Sequence, residues 1–409
     1  MKNIAFIFLI IGNLLIAKDP IVLIHGFLGW GRDEMAGKYL YWGGNYDIEQ
    51  DLKNAGYEVY TVSVGPISSN WDRAVECYYQ IKGGQTDYGI MHSKKHGLIQ
   101  TPANKTYDAL IPDWSQIKPI HIIAHSQGGQ TARMLEHLLN TVFENETSSL
   151  LSQPKQGWIK SITTISTPHN GTTFASYILD YFPIIQNIVP FLSIINQESI
   201  NSFYNFDLEQ WSFNKKNKNF FASIDMLENH PFQNSENLAS FDLSIDGAKK
   251  MNSYVSNNPN TYYYSIVSNT TKRIEGKLKT LQNTNFKLVP TSLLIANNNL
   301  VLKYIDENNL FAWKYNDGIV NSISMFQPLT LSPLNQNLIN NYYAKLQNST
   351  AMINVLTNNY QLLSPGKWHP VAIINLDHHA IVGHHVNQTN YNMLIAFYLQ
   401  HLSEINQLN

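Results

Sequence analysis

The chain has 409 residues and a mass of 46.6 kDa, with 28 basic and 30 acidic side chains, for a formal net charge of −2. Charged residues make up 14% and hydrophobic residues 44%, a balance that excludes intrinsic disorder, which needs high charge and few aromatics. Near-neutrality without a long basic run argues against nucleic acid as a partner. The length suits one large α/β domain or two smaller ones, and 12% aromatic residues fit an enzyme that handles apolar substrates. A single cysteine, Cys77, rules out an intrachain disulfide and a Cys-based zinc finger, and is expected as a buried small hydrophobe.

In chain order, Lys2 precedes an apolar run from Ile4 to Ile11 that continues through Leu14, Leu15 and Ile16 to Ala17. A short positive region, an apolar stretch and a small terminal residue are the parts of an export leader. Residues 1–17 are therefore expected as a signal peptide on a secreted protein, with an uncleaved anchor as the alternative. Residues 18–409 are expected as a single domain. Ile21 to Ile24 is a continuous apolar run ending at His25-Gly26, as a buried parallel strand would be. Ile120 to Ile123 is a second strand, followed by Ser126, two glycines and a helical stretch through Met134, Leu135 and Leu139. Trp158 to Ile165 is a third strand, ending at Thr167-Pro168-His169-Asn170-Gly171. Val371 to Leu376 is strand-like, and Tyr391 to Leu402 has helical apolar spacing and should close the fold. Strands alternating with helices predict an α/β architecture, a mostly parallel sheet flanked by helices. Residues 251–360, rich in Asn, Ser and Thr, give soft boundaries.

The strongest local signal is Ala124-His125-Ser126-Gln127-Gly128-Gly129, placed between a strand and a helix. A serine on such a sharp turn needs small residues two before and two after it, and Ala124 adds only a methyl group to the common Gly-x-Ser-x-Gly pattern. Helix N-terminal N–H groups there favour developing negative charge. Attack by Ser126 would need two oxyanion donors: the N–H of Gln127, and that of Phe27 in the loop after the first strand. A serine nucleophile also needs a histidine base oriented by a carboxylate. Asp317, in the turn Asn316-Asp317-Gly318, and His378, directly after a strand, satisfy the order Ser, Asp, His of α/β-hydrolases. His379, His384 and His385 lie close by, and the residues alone do not choose among them.

The chain resembles the large secreted triacylglycerol lipases of the Geobacillus and staphylococcal type over nearly all of its mature region. The resemblance is carried by Ile21 to Trp30, Tyr41 to Gln50 with Trp42-Gly43-Gly44, Ser68 to Ala74, Asp87-Tyr88-Gly89, Ala124 to Arg133, Thr167 to Thr172, Asn316 to Val320 and Asp377-His378. It implies an α/β-hydrolase fold, ester hydrolysis through Ser126, Asp317 and His378, and a preference for His378 over its neighbours. A phospholipase, an acyltransferase or a short-chain carboxylesterase could use the same triad. A non-catalytic lipid-binding protein is the reading from another class.

By the same resemblance, Asp72, His92 and Asp242 match three ligands of a structural zinc site bracing an insertion at about 71–115, but the fourth position is Leu98. His96 or water could complete the set; otherwise Asp72 pairs locally and no zinc binds. The corresponding calcium positions read Ala380 and His385, which are not oxygen donors, so no calcium dependence is expected there. Phe174 to Ile200 is apolar but interrupted by Pro183 and Pro190. It is expected as part of a lid, at about 174–250, that would open at an oil–water or membrane interface; ordinary core helices are the alternative. The expected partner is a lipid ester, with no obligatory protein partner.

Overall fold

A computed structural model of the chain describes residues 18–181, 207–212, 235–329 and 336–408. The expected leader, 1–17, and the central parts of the expected lid, 182–206 and 213–234, lie outside the described residues. In chain order the strands are β1 (Ile21–Ile24), β2 (Val59–Val62), β3 (Gly84–Gln85), β4 (Thr106–Tyr107), β5 (Ile120–His125), β6 (Ile159–Ile165), β7 (Tyr262–Ser268), β8 (Thr271–Ile274), β9 (Lys277–Thr280), β10 (Ile353–Val355) and β11 (Trp368–Ile374). Seven of them form one sheet in the order β10-β11-β7-β6-β5-β1-β2. All its pairings are parallel except that of edge strand β10 with β11. The pairs β3-β4 and β8-β9 are separate antiparallel hairpins.

Both faces of the sheet are covered, which is why β1 and β5 are unbroken buried runs rather than alternating ones. Side chains alternate between the faces. Val22, Ile24, Ile122 and Ala124 pack beneath the helices α2 (Asn70–Lys82) and α4 (Gln127–Asn140), together with Ala74, Leu135 and Leu138. Ile21, Leu23 and Ile123 pack on the other face with Leu394, Tyr398 and Leu402 of the C-terminal helix Gln388–Ile405. A third cluster joins Val267 and Ile373 to Phe174, Leu288, Trp313 and Phe326.

The stretch expected as an insertion, about 71–115, opens as α2, a helix of the main layer, and continues through β3, the short helix α3 (Ile90–His96) and β4. The stretch expected as a lid begins in the helix α5 (Thr173–Tyr181), whose Phe174 and Ile178 are buried with Ile245, Ile295 and Val301. At its far end, residues 239–242 and 245–252 form two short helices, the second capped by Ser244, whose hydroxyl accepts from the Gly247 N–H. Among the described residues, no helix is long and apolar enough to cross a membrane.

Candidate active site

Ser126 leaves β5 at φ +56° and ψ −127°, a conformation that costs a non-glycine residue roughly 1–3 kcal/mol. Its N–H bonds Ile165 O at 2.8 Å, and α4 begins at the next residue, Gln127. Close packing explains the small residues around it. A Cβ on Gly128 would strike the backbone oxygens of Ile24 and His25, and one on Gly129 would strike the Thr167 side chain. Ala124 is fully buried opposite Ile24. A Cβ on Gly26 would lie 2.6 Å from that of Ser126, so the loop carrying Phe27 runs directly against the serine.

Three residues far apart in sequence meet here. His378 Nε2 lies 2.9 Å from Ser126 Oγ, and His378 Nδ1 lies 2.6 Å from Asp317 Oδ2. The Asp317 carboxylate is fully buried and further accepts the Ser268 hydroxyl at 2.5 Å and the N–H groups of Ile319 and Val320 at 3.0 and 2.8 Å. Gly318 makes this turn possible, with φ +100° and Leu288 pressed against it. The His378 N–H donates to Asp317 O at 3.0 Å, joining the two loops. The competing histidines go elsewhere: His384 Nε2 donates to Tyr41 O at 2.7 Å, while Tyr39 Oη lies 3.1 Å from His384 Nδ1 and 3.5 Å from His385 Nε2.

Two supports escaped the sequence reading. His125 is buried beside the serine, and burial first, then the neighbouring His378, pushes its pKa well below the ordinary imidazole value. Its Nε2 lies 2.9 Å from His378 O, which can only accept, so Nε2 carries the proton and Nδ1 accepts the Tyr41 hydroxyl at 2.6 Å. Tyr41 Oη in turn accepts the Gly26 N–H at 2.8 Å. One chain of bonds thus connects the Gly26 loop, the serine strand and the His378 loop. Arg73, fully buried on α2, donates to His25 O at 2.5 Å, Gly65 O at 2.9 Å and Thr131 Oγ1 at 2.9 Å, fixing the end of β1. His125 stood inside the quoted serine stretch and Tyr41 beside Trp42, but spacing gives no sign that distant residues meet.

The His378 loop is held by Asp377. Its Oδ1 accepts the N–H groups of His379 and Ala380 at 3.2 and 2.9 Å, and its Oδ2 that of Asn285 at 2.9 Å. Ala380 and His385 occupy the positions matched to calcium ligands, and the connection across this loop is made by hydrogen bonds.

Asp72, His92 and Asp242, the residues matched to zinc ligands, each have hydrogen-bond partners within the protein. His92 Nε2 lies 2.8 Å from Asp72 Oδ1, and Asp72 Oδ2 accepts amide hydrogens from Asn237 at 3.0 Å and Gln210 at 3.3 Å. Asp242 Oδ2 accepts the Asn70 N–H at 2.5 Å. No group of three or more His, Cys, Asp or Glu gathers as metal ligands among the described residues. Leu98 cannot contribute. The His96 ring lies 4.8 Å from that of His92, tilted at 48°, and burial and His92 depress its pKa to about 4.

Comparison with known proteins places this architecture. Residues 17–388 match the family model described as "Lipase-like, C-terminal domain". The lipase of Staphylococcus hyicus is 35% identical over 324 residues, covering 76% of this chain and 48% of that protein. Lipase 2 of Staphylococcus aureus is 34% identical over 340 residues, covering 79% of this chain and 46% of its own length. The chain thus spans about half the length of these curated relatives. Among solved structures, EstA from Clostridium botulinum superposes with a TM-score of 0.78 at 32% identity, over 96% of this chain and 88% of that one. Lipase 1 from Pelosinus fermentans gives 0.75 at 33% identity, over 96% and 100% of the two chains. An α/β-hydrolase sheet, a serine on its strand-to-helix turn and this similarity agree: the chain belongs to the lipase-like C-terminal-domain family.

Proposed function

We propose that this chain is a secreted serine lipase, hydrolysing ester bonds of triacylglycerols and related lipid esters. The observation that carries the reading is the continuous contact from Asp317 through His378 to Ser126 at 2.6 and 2.9 Å. His378, oriented by Asp317, takes the Ser126 proton as Oγ attacks the ester carbonyl. The N–H groups of Gln127 and Phe27 stabilise the tetrahedral oxyanion, assisted by the N-terminal end of α4. His378 returns the proton to the departing alcohol, leaving an acyl-serine. Water, deprotonated by the same imidazole, then releases the fatty acid. These steps use no metal; Asp72, bonded to His92, Asn237 and Gln210, and Asp242, bonded to the Asn70 N–H, would act as hydrogen-bonded braces. A lid at about 174–250 would shield the site in water. An oil surface would offset the cost of opening it, about 25 cal/mol per Å² of apolar area exposed.

The test is initial rates on an ester series from short and soluble to long and emulsified, with Ser126→Ala in parallel. Long-chain turnover that jumps as substrate passes its solubility limit, and vanishes in the variant, is the expected result. Activity confined to soluble short esters would reduce the protein to a carboxylesterase, and unchanged turnover in Ser126→Ala would remove the triad from the mechanism.

A further inference from the structure

The hairpin β8-β9 leaves the sheet at the end of β7, the same edge from which the Ser126 and His378 loops emerge. Its two-residue turn, Glu275-Gly276, has positive φ at both positions, the geometry of a tight hairpin. Bonds tie this region to the Asp317 loop: Thr270 N–H to Asn316 O at 2.8 Å, and Thr291 Oγ1 to Gly318 O at 2.6 Å. Phe286, 78% exposed, follows Asn285, whose N–H bonds Asp377 beside His378. The hairpin and the helices that follow therefore border the site.

Their charge is segregated. Residues 270–314 hold seven basic and three acidic side chains, in a chain whose formal net charge is −2. A surface crevice of about 360 Å³ is lined there by Arg273, Lys277, Leu293, Phe311 and Lys314, among others, with no Asp or Glu in its lining among the described residues. Arg273 Cζ and Lys314 Nζ both stand over the Phe311 ring, at 5.6 and 5.3 Å from its centroid. Their proximity is repulsive: after burial, Arg273 is the second cause that lowers the Lys314 pKa. Leu293 and Phe311 are nevertheless 51% and 52% exposed. Cations converging on exposed apolar side chains, without a carboxylate to neutralise them, complement an anionic headgroup above hydrocarbon.

We propose that this rim is a docking site for an anionic lipid surface, with headgroup charge seated among Arg273, Lys277 and Lys314 and with Leu293 and Phe311 entering the acyl boundary. Docking here would bring the loops that carry Asp317 and His378 to the interface, and the fatty acid released by hydrolysis would itself increase the surface charge that the rim binds.

Binding is measured by co-sedimentation of the full chain carrying Ser126→Ala, so that no hydrolysis enters the reading. Vesicles of phosphatidylcholine alone are compared with equal parts of phosphatidylcholine and phosphatidylglycerol, at low and high salt. Each basic side chain near an anionic surface strengthens binding about fivefold. The triple variant Arg273→Gln, Lys277→Gln, Lys314→Gln should thus bind the mixed vesicles roughly a hundredfold more weakly. Leu293→Ser with Phe311→Ser should weaken binding to both vesicle types. Arg273→Lys keeps the charge and should keep the affinity, and thermal melts establish that each variant is folded. Equal affinity of the parent for both vesicle types, or full affinity in a folded triple variant, would overturn the proposal. Failure of the ester-hydrolysis reading would show instead as lost turnover, independently of binding.

Discussion

At the scale of single residues, the site depends on groups that never meet substrate. His125 stays neutral because burial holds its pKa far below the ordinary value, and only the neutral ring can accept from Tyr41 while donating to His378 O. Tyr41→Phe removes one hydroxyl but leaves two buried partners unsatisfied, the Gly26 N–H and His125 Nδ1. An orphaned buried polar group costs about 1–3 kcal/mol. The variant should lose stability of that order in urea melts. It should also lose about tenfold in kcat on a soluble ester with KM little changed, because the displaced loops position the oxyanion donor and base. A wild-type kcat would show that the Gly26–Tyr41–His125–His378 chain is structural only. The metal question is tested at the same scale. Asp72 and His92 spend their lone pairs and hydrogens on each other and on amides. Dialysis against EDTA should therefore leave both activity and melting temperature where they were; a fall in melting temperature that zinc restores would refute the hydrogen-bonded brace.

Among the elements, the docking of α4 onto β1 is the tightest constraint. Gly128 lies so close to Ile24 O and His25 O that a methyl group has no space, and backbone cannot yield as a side chain can. Gly128→Ala should cost about 1–3 kcal/mol or more through overpacking and should displace the helix N-terminus that holds the Gln127 N–H. Ala124→Gly, two residues on the other side of the serine, removes only a buried methyl and should keep the activity. Near-wild-type stability and rate in Gly128→Ala would contradict the geometry. This turn was legible in sequence because its small residues, apolar strand and helix are contiguous. The runs Ile21–Ile24 and Ile120–Ile123 were legible for the same reason: burial on both faces writes a string that is apolar throughout in the first and interrupted only by His121 in the second. The edge strand Ile353–Val355 was not, being a short, half-exposed segment without the same signature. The limits of the lid were not legible either, since an apolar helix facing core and one facing a cleft carry the same periodicity. Asp317 could be chosen by order and placement, but His378 was one of four neighbouring histidines and was preferred through the family resemblance, whereas Ser268, Tyr41 and Asp377 became visible as partners only when the loops were brought together.

For the whole molecule, burial of titratable side chains makes stability depend on pH, and the two classes pull in opposite directions. Burial is the largest cause in every case. His25, His121 and His401 are depressed to about 3 and His384 to about 4, while His125 and His169 lie well below the ordinary value. Between those values and 6.5 the unfolded chain binds protons that the folded one refuses, so stability from these groups is complete above 6.5 and drains as pH falls. Glu136 and Asp242, raised to about 7, and Asp207, raised to about 8, do the reverse: the folded chain keeps protons that the unfolded one releases, and stability falls as pH rises from their ordinary values. In the region near pH 5, the depressed histidines, His96 and His379 among them, outnumber the raised acids, Asp377 included, each proton changing stability by about 1.4 kcal/mol per pH unit, and the histidines prevail. Above about pH 6.5 the unfolded histidines have lost their protons and only the acids still act. The melting temperature should therefore climb steeply from acid toward neutrality, peak near the ordinary imidazole pKa, and decline gently through the range where Asp207 ionises. Calorimetric or circular-dichroism melts across that range measure the profile directly. A melting temperature that is flat or higher on the acid side would mean that these imidazoles gain access to water and take up protons within the folded chain.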